Sequence, residues 1–163
     1  MGLDTYVFRS KSAADTFNTN ANGDWKECLY WRKCWSLDNY LRIKSTDALE
    51  NDGYTAVVPF EALEELYHLT GAKIADILEA VNSFKRFPFS NVDTIDKLED
   101  YDSAFECEEM GVLWDVIEEI AGELFTDSIW GAVTALRTTY NQLKELMAEP
   151  DAAEYNYVWL SSF

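Results

Sequence analysis

Tyr155-Asn156-Tyr157-Val158-Trp159-Leu160 is a run of strand formers with partial alternation near the end of the chain. A second such run, Thr5-Tyr6-Val7-Phe8, lies near the start and is followed by a polar stretch from Ser10 to Asp24 that reads as a loop. Pairing these two runs ties both ends of the chain into one sheet, where they otherwise fray. Most of the sequence between them has helical patterning. The expected class is therefore α+β: a single domain over residues 1–163 whose small, mainly antiparallel sheet of about three strands, both termini included, packs with about five helices.

Working inward, Tyr54-Thr55-Ala56-Val57-Val58 supplies the third strand, and Pro59 opens the next element at a position a helix start tolerates. From Pro59, Glu61, Glu64 and Glu65 fall in the early turns, Leu63, Leu66 and Leu69 continue a helix, and Gly71 is a natural stop. Ala72 to Phe84 reads as a further helix with Ile74, Ile77, Leu78 and Val81 on one face. Trp25 to Leu41 is aromatic and basic, and its apolar residues recur every three to four positions, which predicts a helix there as well. Later, Leu113, Val116, Ile117, Ile120 and Leu124 form an apolar helical stripe, with Asp115, Glu118, Glu119 and Glu123 opposite. Trp130 to Met147 makes the last helix, with Val133, Leu136, Tyr140, Leu143 and Met147 as its stripe, and Pro150 ends it. The segment 93–109 fits a helix or a loop.

The 163 residues are 48% hydrophobic and 15% aromatic, material for a buried core rather than for a disordered chain. Charge is unevenly placed: residues 1–46 hold seven Lys/Arg against five Asp/Glu, and residues 47–163 hold six against twenty-five, for a total of −17. Thirteen carboxylates and a single base, Lys97, lie within 93–127. A field of that sign repels nucleic acid and acidic membranes and attracts basic protein surfaces. Although Arg32 and Lys33 are interleaved with aromatics, the nineteen net negative charges of residues 47–163 oppose a nucleic-acid platform.

No run of 18 apolar residues occurs, and the N-terminus lacks a signal-peptide pattern, so a cytoplasmic protein is expected. Cys28, Cys34 and Cys107 are expected to be free, buried thiols. With the only histidine, His68, they lie too far apart in sequence for a zinc pattern. Asn18 to Leu29 imitates an EF-hand loop but has Asn where Asp opens it and Leu where a bidentate Glu closes it. No Gly-rich phosphate loop, nucleophile elbow or paired histidine occurs. The expectation is no cofactor, no metal and no catalytic residue, although Asp96, Glu99 and Asp100 are close enough in sequence to share an ion.

The opening Met1-Gly2-Leu3-Asp4-Thr5-Tyr6-Val7, the block Tyr30-Trp31-Arg32-Lys33 and the closing Ser161-Ser162-Phe163 resemble a family of phage and prophage proteins. Its members typically begin MGLDMYL, carry YWRKANAIHNWF, and end in tyrosines followed by SSW. This chain departs from the pattern at Thr5, at Cys34 to Asp38 and at Phe163. The resemblance implies a phage or mobile element acting inside a bacterial host cell and assigns no activity.

The expected function is that of a phage-encoded acidic inhibitor. It would occupy the basic nucleic-acid groove of a host defence protein, a CRISPR effector or a restriction enzyme, by presenting carboxylates in place of phosphates. The residues expected to carry this are Asp96, Glu99, Asp100, Asp102, Glu108, Asp115, Glu118, Glu119 and Glu123. The alternative is a phage accessory or structural module whose aromatic surface forms an oligomer or partner interface.

Overall fold

The computed structural model describes residues 2–18, 23–49, 54–83, 94–97, 108–125 and 131–162. Five strands form one antiparallel sheet: β1 (Asp4–Ser10), β2 (Lys26–Arg32), β3 (Thr46–Ala48), β4 (Thr55–Val58) and β5 (Asn156–Ser162), in the order β2-β1-β5-β4-β3. Four α-helices accompany it among the described residues: α1 (Trp35–Lys44), α2 (Phe60–Ser83), α3 (Glu108–Phe125) and α4 (Ala132–Ala148). The α+β class and the antiparallel sheet agree with the sequence reading. The sheet has more strands than expected, and fewer helices are described.

The two terminal runs pair along their whole length, from Asp4 opposite Ser162 to Ser10 opposite Asn156, so β1 and β5 form the centre of the sheet. Alternation sends Thr5, Val7, Leu29, Trp31, Tyr157 and Trp159 to one buried face. Three helices settle against one another here: α2, α3 and α4 pack mutually, and α1 packs on α3. Three buried hydrogen bonds lock the layers. Trp31 Nε1 donates to Thr139 Oγ1 of α4 at 2.7 Å, and Asp38 Oδ1 of α1 accepts from Thr5 Oγ1 at 2.8 Å and from Trp159 Nε1 at 3.1 Å. Each satisfies a group whose burial alone is costly.

Residues 26–32 correct the predicted helix over Trp25 to Leu41. They form an edge strand because Leu29 and Trp31 point inward while Lys26, Glu27 and Arg32 stay exposed, a period of two that pairing with β1 selects. The helix begins only at Trp35, after Lys33 takes a left-handed conformation (φ 51°) that turns the chain out of the sheet. A bulge opposite Val7 and Phe8 leaves Cys28 without a cross-strand partner, and its thiol donates to the Val7 carbonyl at 3.2 Å.

Gly71 does not stop a helix. α2 runs through it for 24 residues, merging the two helices expected from the sequence. The reason lies on α4: a Cβ at position 71 would sit 3.3 Å from the Tyr140 ring, which stacks on Tyr67 at 5.3 Å between centroids. The glycine admits a neighbouring aromatic rather than a turn.

Candidate functional site

α3 is built to carry its carboxylates on one side. Leu113, Ile117, Ala121 and Phe125 recur at helical spacing and are all buried, which fixes which face meets the rest of the helical layer. At 100° per residue, Asp115, Glu118, Glu119 and Glu123 then face away from the core, and all four are exposed. No ion pair among the described residues reaches Asp115, Glu118 or Glu119. Glu123 differs, because Lys73 of α2 bonds to it and also reaches the Ile120 carbonyl at 3.3 Å. The Lys73 ammonium holds the Glu123 carboxyl below the usual carboxylate range.

Asp96 does not join this face. It sits in the seam between α2 and α4, with Arg137 Nε at 3.8 Å and Asn141 Nδ2 at 3.4 Å. The cavity beside it, about 340 Å³, is lined by Gly71, Ile74, Leu78, Tyr140 and Lys144 among others and by no residue of α3. Glu99, Asp100 and Asp102 lie outside the described residues, as does the side chain of Glu108, whose backbone begins α3. Cys107 and Trp130 also fall outside.

Two features of the α3 face escape a reading by residue type. Val116, expected in the core stripe, is 40% exposed, and Val112 is 67% exposed; both stand among the carboxylates. A strict 100° wheel finds them, because Val112 falls between Glu119 and Glu123 while the buried arc centres near Ile117. On the neighbouring helix, exposed Asp76 stands one turn beyond Lys73 on the edge of α2 that faces α3.

Three of the seven bases of residues 1–46 gather at one cavity. Arg9, Lys11, Lys26 and Tyr155 line a cavity of about 550 Å³. Its charge is largely matched: Arg9 makes a two-pronged contact with Glu149 at 2.5 and 3.0 Å, and Lys11 reaches Asp151 at 2.7 Å. Arg9 and Lys11 also lie over the Tyr155 ring at 4.7 and 5.1 Å.

On the sheet face turned away from the helices, Tyr6 meets Tyr30 at 5.0 Å and Phe8 at 5.9 Å, and Phe8 meets Phe17 at 5.2 Å. His68 is exposed on α2, its ring tilted against Tyr67. Leu29, where an EF-hand loop would need its last ligand, is buried in β2. Burial pushes the Cys28 thiol up to about 12, and the Cys34 thiol lies 3.6 Å from the Leu124 carbonyl. Among the described residues no group of three or more His, Cys, Asp or Glu side chains is placed to hold a metal ion, and no helix is long and apolar enough to cross a membrane. Comparison with protein-family models, with curated proteins and with solved structures finds no match.

Proposed function

We propose that this chain is an acidic, phage-type inhibitor that binds a basic, nucleic-acid-handling surface of a host defence protein, of the CRISPR-effector or restriction-enzyme kind. The observation that carries the reading is the α3 face, where Asp115, Glu118 and Glu119 are exposed, without a cation partner among the described residues, on a helix whose other side is locked in the core. Residues four apart rise about 6 Å along such a helix, a spacing comparable to that of successive phosphates, so a preformed basic groove meets repeated negative charge in a fixed array. The resemblance of both chain ends and the Tyr30 to Lys33 block to phage proteins supplies the setting.

Charge reversal of Asp115, Glu118 and Glu119 to Lys tests it. The three side chains are exposed, so circular dichroism stays unchanged while capture of basic partners from a bacterial lysate, read by mass spectrometry, is lost. Competing duplex DNA displaces the same partners from the unaltered chain. Capture that survives both treatments refutes the reading. A second reading, an accessory interaction module, draws on the half-buried Tyr6, Phe8 and Tyr30 array of the outer sheet face; its binding would persist at high salt and ignore the α3 substitutions.

A further inference from the structure

A phosphate backbone has nothing to offer a valine. Yet Val112 and Val116 lie one helical turn apart on the exposed side of α3, 67% and 40% exposed, with Asp115 and Glu119 beside them and Glu118 at the margin. Exposed β-branched residues are poor helix formers, so nothing local to α3 favours them at these positions.

Charge decides what kind of chain approaches. A second copy would bring its own net −17 to a face already bearing unpaired carboxylates, and nucleic acid would bring phosphates. What complements an apolar pair flanked by acid on one side is an apolar side-chain row flanked by base. A helix meets that description most simply, since positions three and four apart place a nonpolar stripe beside a row of Lys or Arg.

We propose that the outer face of α3 docks a basic amphipathic helix of the partner protein, its apolar stripe seated on Val112 and Val116 and its cations against Asp115, Glu118 and Glu119. This rests on the reading of α3 as the partner-facing surface and adds to it a dry contact that salt does not screen.

The probes are two synthetic helical peptides of equal positive charge, one with a leucine stripe and one with each leucine replaced by glutamine. Each is titrated by fluorescence anisotropy against the full chain in about 0.05 M and about 0.5 M salt, conditions that bracket strong and weak screening. The leucine peptide binds in both, the glutamine peptide only in the first. V112S/V116S keeps every charge and, as serine and valine have similar helix propensity, keeps the fold; it binds the leucine peptide about tenfold more weakly and the glutamine peptide unchanged. Methyl resonances of Val112 and Val116 shift on adding the leucine peptide.

Equal binding of the leucine peptide by V112S/V116S, or shifts confined to another face, overturns the proposal and leaves the acidic reading standing. Failure of both peptides to bind at low salt overturns the acidic reading and the proposal together. Self-association of the free chain that V112S/V116S abolishes assigns the face to a second copy instead.

Discussion

Removing the α3 charges should make the protein more stable. In the variant D115N/E118Q/E119Q each carboxylate becomes an amide of nearly the same shape, so packing is untouched and only charge changes. Asp115 stands three residues from Glu118 and four from Glu119, and like charges at either spacing destabilise a helix by about 0.2–0.5 kcal/mol per pair. Two pairs give about 0.4–1 kcal/mol, to which relief of the general field, from −17 to −14, adds in the same direction. For a domain of this size 1 kcal/mol moves the melting temperature by about 2–4 °C, so the expected rise is about 1–4 °C. Differential scanning calorimetry at low ionic strength reads it, and the rise shrinks at about 0.5 M salt, where exposed charges are screened. The same variant loses low-salt binding of a basic peptide. A melting temperature that stays level or falls at low salt would mean that the three carboxylates are held by cations, and the description of an uncompensated face would be wrong. A higher melting temperature with unchanged peptide binding would mean that the face is merely solvated.

The remaining predictions concern the scaffold. Thr139→Val keeps the side-chain shape but strands the buried Trp31 indole N–H, which costs about 1–3 kcal/mol in urea unfolding; a loss under about 0.5 kcal/mol would show that another acceptor takes over. Gly71→Ala should fail to deliver the gain of about 1 kcal/mol that helix propensity alone gives, because the new methyl meets Tyr140, itself fixed by stacking on Tyr67. Stability should also fall as pH rises beyond about 9. The Cys28 thiol, raised to about 12 by burial, and the phenols of Tyr40 and Tyr157, raised chiefly by burial, ionise more readily in the unfolded chain, so their contribution is complete below the unfolded values and is lost above them. Denaturant midpoints between about pH 8 and 11 check the sign, and Cys28→Ala should flatten the curve.

How far the sequence disclosed this depends on whether one pattern or two fitted a given stretch. β1 and β5 were readable because their strand formers alternate and sit at the two ends, where sheet pairing is the simplest anchor. Residues 26–32 carried both periods at once: Leu29 and Trp31 alternate, while Tyr30 with Cys34, Leu37 and Leu41 also suits a helix, and only pairing with β1 decides between them. Gly71 misled because the local rule for glycine describes a helix end, whereas its cause here is a ring on α4, remote in sequence. The carboxylates of α3 were legible, since Asp115, Glu118, Glu119 and Glu123 oppose Leu113 and Ile117 at any reasonable boundary. Asp96 was not, because grouping by sequence proximity ignores Arg137, which draws it to a different seam.

Placement of the cations gives the α3 face its meaning. Lys44 reaches Glu65, Arg9 reaches Glu149, Lys11 reaches Asp151, and Lys73 reaches Glu123, so several of the thirteen bases are committed to acids at the borders of the helical layer or on the sheet. Lys73 is the informative one, for it ties α2 to the end of α3 yet stops short of Asp115, Glu118 and Glu119. Those three ride on a helix whose inner side is fully buried at Leu113, Ile117, Ala121 and Phe125. A rigid array of charge loses little conformational freedom when a partner arrives, whereas the same carboxylates on a loop would have to be ordered first. Solubility alone is served by acids of either kind. A fixed acidic array with two exposed valines along its edge is better matched to contact with a particular surface than to solvent.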